Sequence, residues 1–109
     1  RKIATGQMMR EVPKAKVIVT NPTHLSIAIA YEEGQKGAVP SVVAKGADFV
    51  ALKIREIAKE NGIPLYEHKP LARELYEKVE VGEEIPEEFF EAIATVFAFV
   101  YKQKGMINT

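Results

Sequence analysis

Asn21-Pro22-Thr23-His24 is the stretch of this 109-residue chain whose residue types can break a covalent bond with no cofactor. At an ordinary Asn-X bond the following backbone N–H attacks the asparagine side-chain carbonyl, and the residue deamidates. Proline has no N–H, so the reverse attack remains. The Asn21 side-chain nitrogen closes on the Asn21 carbonyl carbon and expels Pro22 as a free amine, leaving a C-terminal succinimide. An amide nitrogen is a poor nucleophile, so the fold must hold it near its target, and good orientation supplies about 7–11 kcal/mol in intramolecular reactions. Donors aimed at the developing oxyanion add to that, and a strained turn between two pinned strands suits both. Asn21 would be nucleophile and electrophile at once, and Pro22 the leaving group. Thr23 is a candidate for hydrogen bonding within the turn. His24 can accept a proton, since imidazoles titrate near neutrality, or orient the turn by a hydrogen bond. Cyclisation needs no external nucleophile, which favours the orienting role. By turn chemistry alone, Asn-Pro is equally a plain connection.

Other chemistries find little support. Ser26 or Ser41 with His24 and Asp48 could be assembled into a hydrolase, but no spacing resembles a nucleophile elbow. Gly34 and Gly37 fall between two expected strands and precede no helix, so they form no phosphate loop. The chain has no cysteine and two histidines, a poor metal signature, so no metal or cofactor is expected. If Asn21-Pro22 is more than a connection, the chemistry these residues offer is a single self-cleavage, not that of an enzyme acting on an added substrate. Fifteen basic residues balance fifteen acidic ones, which gives no reason to expect a nucleic-acid partner. No apolar run approaches the roughly 20 residues that span a bilayer, and no signal peptide is visible. The first residue is Arg1, so a fragment of a longer chain is expected.

The elements that must position the turn read as follows. A short helix covers 1–12 and ends at Pro13. Arg1, Lys2 and Arg10 suit either a membrane surface or a solvated tail. Val17-Ile18-Val19 is a continuous apolar run, suited to a strand buried on both faces. After the Asn-Pro turn, Leu25, Ile27, Ile29 and Tyr31 alternate with Ser26, Ala28 and Ala30, so the small face expects a close helix. A polar loop over 32–37 leads to a third strand, Val39 to Ala44, entered at Pro40. Residues 45–48 form a turn into a helix, with Asp48 as its cap or first-turn acid. Val50, Ile54, Ile57 and Ala58 share one face of that helix, and Asn61-Gly62 closes it. A strand over 63–67 follows, then His68 as an exposed loop residue without a task, a helix over 70–76 and a loop over 81–85.

The last helix runs from Pro86 with Glu87 and Glu88 in its first turn, Lys102 and Lys104 in its last, and Gly105 as its stop. Between Phe89 and Tyr101 only Glu91 and Thr95 are not apolar. That helix is either deeply buried or turns one side to a partner. The turn at Asn21-Pro22 is too short for a parallel crossover. The expected fold is α/β of the α+β kind: one domain, a small mixed four-stranded sheet flanked by about four helices.

The run Val-Pro-Lys-Ala-Lys-Val-Ile-Val-Thr-Asn-Pro-Thr-His over 12–24 resembles the start of the cytoplasmic domain of the FlhB/YscU family. Its members are the substrate-specificity switches of flagellar and injectisome type III secretion. The resemblance continues in order through Val42-Val43-Ala44-Lys45-Gly46-Ala47-Asp48, Ile54-Arg55-Glu56-Ile57, Pro70 to Tyr76 and Val81 to Pro86. It leans to the flagellar branch. It implies four preceding transmembrane helices, residues 1–15 as a linker helix from that membrane region, and 16–109 as an autocleaving cytoplasmic domain at the inner bacterial membrane. It places the cut between Asn21 and Pro22, with the two pieces staying associated. It implies a switch of export from hook-type to filament-type substrates, with export substrates, a hook-length control protein and other export-gate components as partners. By order along the chain, the family's substrate-binding apolar patch falls on Val39, Pro40, Ala94 and Phe97, unless those four are core. The rival expectation is an interaction module that never cleaves and binds export substrates through that patch.

Overall fold

The computed structural model describes residues 4–32 and 34–103. Its organising strand is β1 (Val17–Asn21), whose Val17, Ile18 and Val19 are wholly buried. A strand with no polar face needs cover on both sides and partners on both edges. β2 (Leu25–Ala30) pairs with it antiparallel, from Val17 opposite Ile29 to Asn21 opposite Leu25. β3 (Ser41–Ala47) continues antiparallel beyond β2, with a bulge at Ala28/Ile29. β4 (Leu65–Glu67) lies parallel to β1 on its other edge. The order β3-β2-β1-β4 gives the mixed four-stranded sheet the sequence implied, in an α+β domain.

The helices are α1 (Thr5–Glu11), α2 (Phe49–Glu60), α3 (Lys69–Lys78) and α4 (Phe90–Gln103). Val17, Val19, Leu25, Ile27 and Ile29 pack with Leu71 and Leu75 of α3 and Ile93, Val96 and Phe97 of α4. On the opposite face, Ile18, Ala28 and Ala44 meet Met8 of α1 and Ile54 and Ala58 of α2. Small residues on this face let α2 approach closely: the Ser26 hydroxyl donates to the Ala51 carbonyl at 3.0 Å.

Several boundaries differ from the sequence reading. β3 extends through Gly46 and Ala47, which pair with Ser26 and Leu25, so the expected 45–48 turn shrinks to Asp48. Glycine at 46 serves packing, because a Cβ there would lie 2.7 Å from the Val50 Cβ. β4 is shorter than 63–67, and α3 runs beyond 70–76 at both ends. α4 is preceded by a 3-10 turn, Glu87–Phe89, so Pro86 stands before that turn with extended backbone. The expected Lys104 and Gly105 terminus lies outside the described residues, as do Arg1 and Lys2. α1 gives way to a 3-10 turn, Val12–Lys14, that accommodates Pro13. Met8, Val12 and Ala15 are buried, so this segment is packed onto the domain instead of trailing from it. Asn61 and Gly62 close α2 as expected, with Gly62 at φ 68° and the Ile63 N–H returning to the Ala58 carbonyl at 2.8 Å. No helix among the described residues is long and apolar enough to cross a membrane.

Candidate functional site

Asn21 and Leu25 are opposite each other in the ladder, so Pro22, Thr23 and His24 alone reverse the chain. The His24 N–H donates to the Asn21 carbonyl at 2.9 Å and closes a four-residue turn. Proline suits the second position of such a turn, and a positive φ at the third is ordinarily met by glycine. Here Thr23 holds φ 66°. For a β-branched residue that is a strained backbone, at a cost of about 1–2 kcal/mol. Thr23 therefore enters the turn through its backbone, and its hydroxyl has no hydrogen bond to another described residue.

The bond that Asn cyclisation would break joins Asn21 to Pro22, and the oxygen that would become the oxyanion is the one His24 already contacts. The turn is held on both sides. On one, the Asp48 N–H donates to the His24 carbonyl at 2.8 Å, and Asp48 Oδ1 lies 3.0 Å from His24 Nδ1. On the other, the His68 N–H donates to the Thr20 carbonyl at 2.9 Å. Asp48 does stand before α2, but its carboxylate makes no cap hydrogen bond and turns to His24 instead. His68 has a task after all: its Nδ1 accepts the Leu71 N–H at 3.1 Å and caps α3. Both helices begin at the end of the sheet where the turn lies, and helix N-termini carry partial positive charge.

The hydrolase constellation does not assemble. Ser26 is wholly buried, donating to Ala51 and accepting from Arg55 at 3.3 Å. Ser41 begins β3, at the far end of that strand from Ala47 and the turn.

The four patch residues divide. Pro40, Ala94 and Phe97 line one apolar groove of about 480 Å³, together with Tyr31, Phe90 and Tyr101. Phe97 is nearly buried and forms its floor, with ring centres 5.3 Å from Tyr31 and 6.0 Å from Tyr101. Ala94 is exposed. Val39 instead lines a neighbouring hollow with Lys14, Lys16 and Tyr31. The last helix buries Ile93, Val96, Phe97 and Val100 while leaving Phe90 and Phe99 about 40% exposed. Tyr31 sits at the opposite end of β2 from the turn, so at a strand's rise per residue the groove is about 20 Å from Asn21.

Two features were not placed by the residue types: the Asp48–His24 contact, which they offered only inside the rejected hydrolase constellation, and the aromatic lining from Tyr31, Phe90 and Tyr101. Alternation placed Tyr31 on the bulky face of β2, the same side as the apolar last helix, which was the available signal for that lining. Nothing local signals the first, because it depends on β3 running past Gly46.

A family model described as the FlhB HrpN YscU SpaS family matches residues 1–100. The chain is 54% identical over 107 residues to the flagellar biosynthetic protein FlhB of Bacillus subtilis, covering 98% of this chain and 29% of that protein. It is 52% identical over 104 residues to that of Escherichia coli, covering 95% and 27%. The chain thus spans under a third of the length of these curated relatives. Among solved structures, the cytoplasmic domain of FlhB from Shewanella putrefaciens is similar with a TM-score of 0.84 at 43% identity, covering 94% of this chain and 81% of that one. The EscU C-terminal domain carrying an asparagine-to-alanine mutation has a TM-score of 0.80 at 37% identity, covering 87% and 94%.

Proposed function

The chain belongs to the FlhB HrpN YscU SpaS family, and from that premise we propose that it cuts itself between Asn21 and Pro22 while serving as a switch in flagellar type III export. The observation that carries this reading is the turn: a scissile carbonyl already hydrogen-bonded at 2.9 Å, inside a loop strained at Thr23.

In the reaction, Asn21 Nδ2 attacks the Asn21 carbonyl carbon. The His24 N–H, a preorganised donor, stabilises the negative charge that develops on the oxygen. One proton leaves Nδ2, the C–N bond to Pro22 breaks, and the proline nitrogen takes up a proton. The succinimide ring stays on Asn21. No other reactant is needed.

The cut need not unfold the domain. The piece ahead of it contributes Met8, Val12, Val17, Ile18 and Val19 to both cores, with β1 held between β2 and β4. Burial of a Val or Ile side chain stabilises by about 1.5–3 kcal/mol, so the noncovalent hold outlasts one backbone bond. Cleavage would change the conformation and charge of the loop at 21–24. Export would then pass from hook-type to filament-type substrates, with a hook-length control protein signalling and other export-gate components in contact. In this reading residues 1–15 link the domain to a membrane region, at the cytoplasmic face of the inner membrane. The apolar groove at Pro40, Ala94 and Phe97 offers a surface for export substrates, with Val39 beside it. That groove also supports the second reading, an interaction module that binds without cutting.

Intact mass measured under denaturing conditions over days at neutral pH separates the two. Species spanning 1–21 and 22–109, absent in Asn21→Ala, are expected. A single unchanging mass would sink self-cleavage and leave the interaction module.

A further inference from the structure

Among the described residues, six have a positive φ; four are glycines, and the other two are Thr23 and Asp48, at 66° and 53°. Backbone strain of this kind persists where the surroundings impose it, and it gathers at functional sites. These two residues are far apart in the chain, yet both meet residue 24: Thr23 precedes it, and Asp48 binds it.

We infer that Asp48 is a positioning residue for the cut at Asn21-Pro22, holding His24 so that its N–H stays aimed at the scissile carbonyl oxygen. The inference rests on the self-cleavage reading. Asp48 grips residue 24 at two points, its N–H on the His24 carbonyl at 2.8 Å and its Oδ1 against Nδ1 at 3.0 Å. The remaining backbone bond of residue 24 runs from its N–H to the Asn21 oxygen at 2.9 Å. With carbonyl and ring both held, the donor cannot swing away as the Asn21 carbon becomes tetrahedral.

Fold stability accounts for little of the aspartate. The pair is open to solvent, with side chains 57% and 77% exposed, and exposed pairs contribute little. Asp48 gives α2 no side-chain cap, although it stands where an aspartate would supply one. Its backbone, at φ 53° and ψ −111°, is one that glycine adopts more readily. An aspartate here strains the backbone and returns its contact with His24 and a small, solvent-screened attraction to the start of α2.

Asp48→Gly removes the carboxylate while suiting the backbone, so the variant folds. Asp48→Asn keeps an oxygen able to accept from Nδ1–H. The chain is made by cell-free synthesis and sampled from the first minutes by intact mass, alongside His24→Ala and the His24→Ala/Asp48→Gly double variant. Losing an oxyanion donor outright slows comparable reactions about 100-fold or more, and loosening its support is expected to slow this one about 10-fold. The melting temperature of Asp48→Gly should be unchanged or higher, Asp48→Asn should recover most of the wild-type rate, and Asp48→Gly should add nothing once His24 is alanine. Equal rates for wild type and Asp48→Gly, no recovery in Asp48→Asn, or the same slowing without the His24 ring would overturn the inference and leave self-cleavage standing. A wild type that never cleaves removes both.

Discussion

Thr23→Gly tests whether turn strain drives the proposed cut. Thr23 holds φ 66° with a β-branched side chain and an exposed position. An L residue in the left-handed region costs about 1–2 kcal/mol relative to glycine, while glycine loosens the unfolded chain at a cost of about 0.4–1 kcal/mol. The intact fold therefore gains about 0.5–1 kcal/mol, a rise in melting temperature of roughly 2–5 °C for a chain of this size. That is measured in an Asn21→Ala background, where the bond cannot break. The kinetic consequence has the opposite sign. If the strain is released as the Asn21–Pro22 bond opens, relaxing it deepens the ground state by about 1–2 kcal/mol, and each 1.36 kcal/mol is tenfold in rate. Cleavage should slow about 5–30-fold. A glycine also widens the turn's conformations and dilutes the near-attack geometry, which acts in the same direction. The assay is the fraction of intact chain against time by denaturing mass spectrometry. A Thr23→Gly chain that is more stable yet cleaves as fast as wild type, or faster, refutes the coupling of strain to bond breaking.

Ile18 is wholly buried on β1, ahead of the proposed cut. Ile18→Ala should cost about 2–5 kcal/mol, and the cleaved pieces should separate at lower urea in size-exclusion chromatography; separation at the wild-type concentration would contradict the view that β1 holds them. Gly46→Ala brings a Cβ to 2.7 Å from the Val50 Cβ, so α2 must shift, at about 1–3 kcal/mol. Since Asp48 moves with α2, cleavage should slow as the melting temperature falls, and a normal rate would detach the helix start from the turn. Phe97→Ala, at the groove floor, should lose about 3–5 kcal/mol. Ala94→Glu, on the exposed rim, should change stability by less than about 0.5 kcal/mol while weakening capture of an export substrate. Unimpaired capture would move the docking surface elsewhere.

How far the sequence reached depended on whether the deciding information was local. Strand alternation in Leu25 to Tyr31 and the short Asn-Pro turn required an antiparallel β1–β2 pair, and small residues on one face required a close helix; both follow from period and size, and the structure has both. Gly46 misled because a glycine near a strand end usually signals a turn, whereas here it admits Val50 to the sheet surface. That one misreading moved the end of β3 from Ala47 back to Ala44, and with it concealed what Asp48 does. An aspartate before a helix is ordinarily a cap, and only a β3 that reaches Ala47, opposite Leu25, brings residue 48 to residue 24. His68 was missed for a related reason: a histidine before Lys-Pro has no strong capping signature, and its role emerges from its ring nitrogen meeting the Leu71 N–H. In both cases the position was legible and the partner was not, because the partner is set by tertiary register. The two ends of β2 carry the consequence. The turn lies at its start and Tyr31 of the apolar groove just past its end, so a cut at Asn21 cannot reshape the groove by contact. Any coupling between the proposed cut and the proposed docking surface must pass along the sheet or through a partner that touches both.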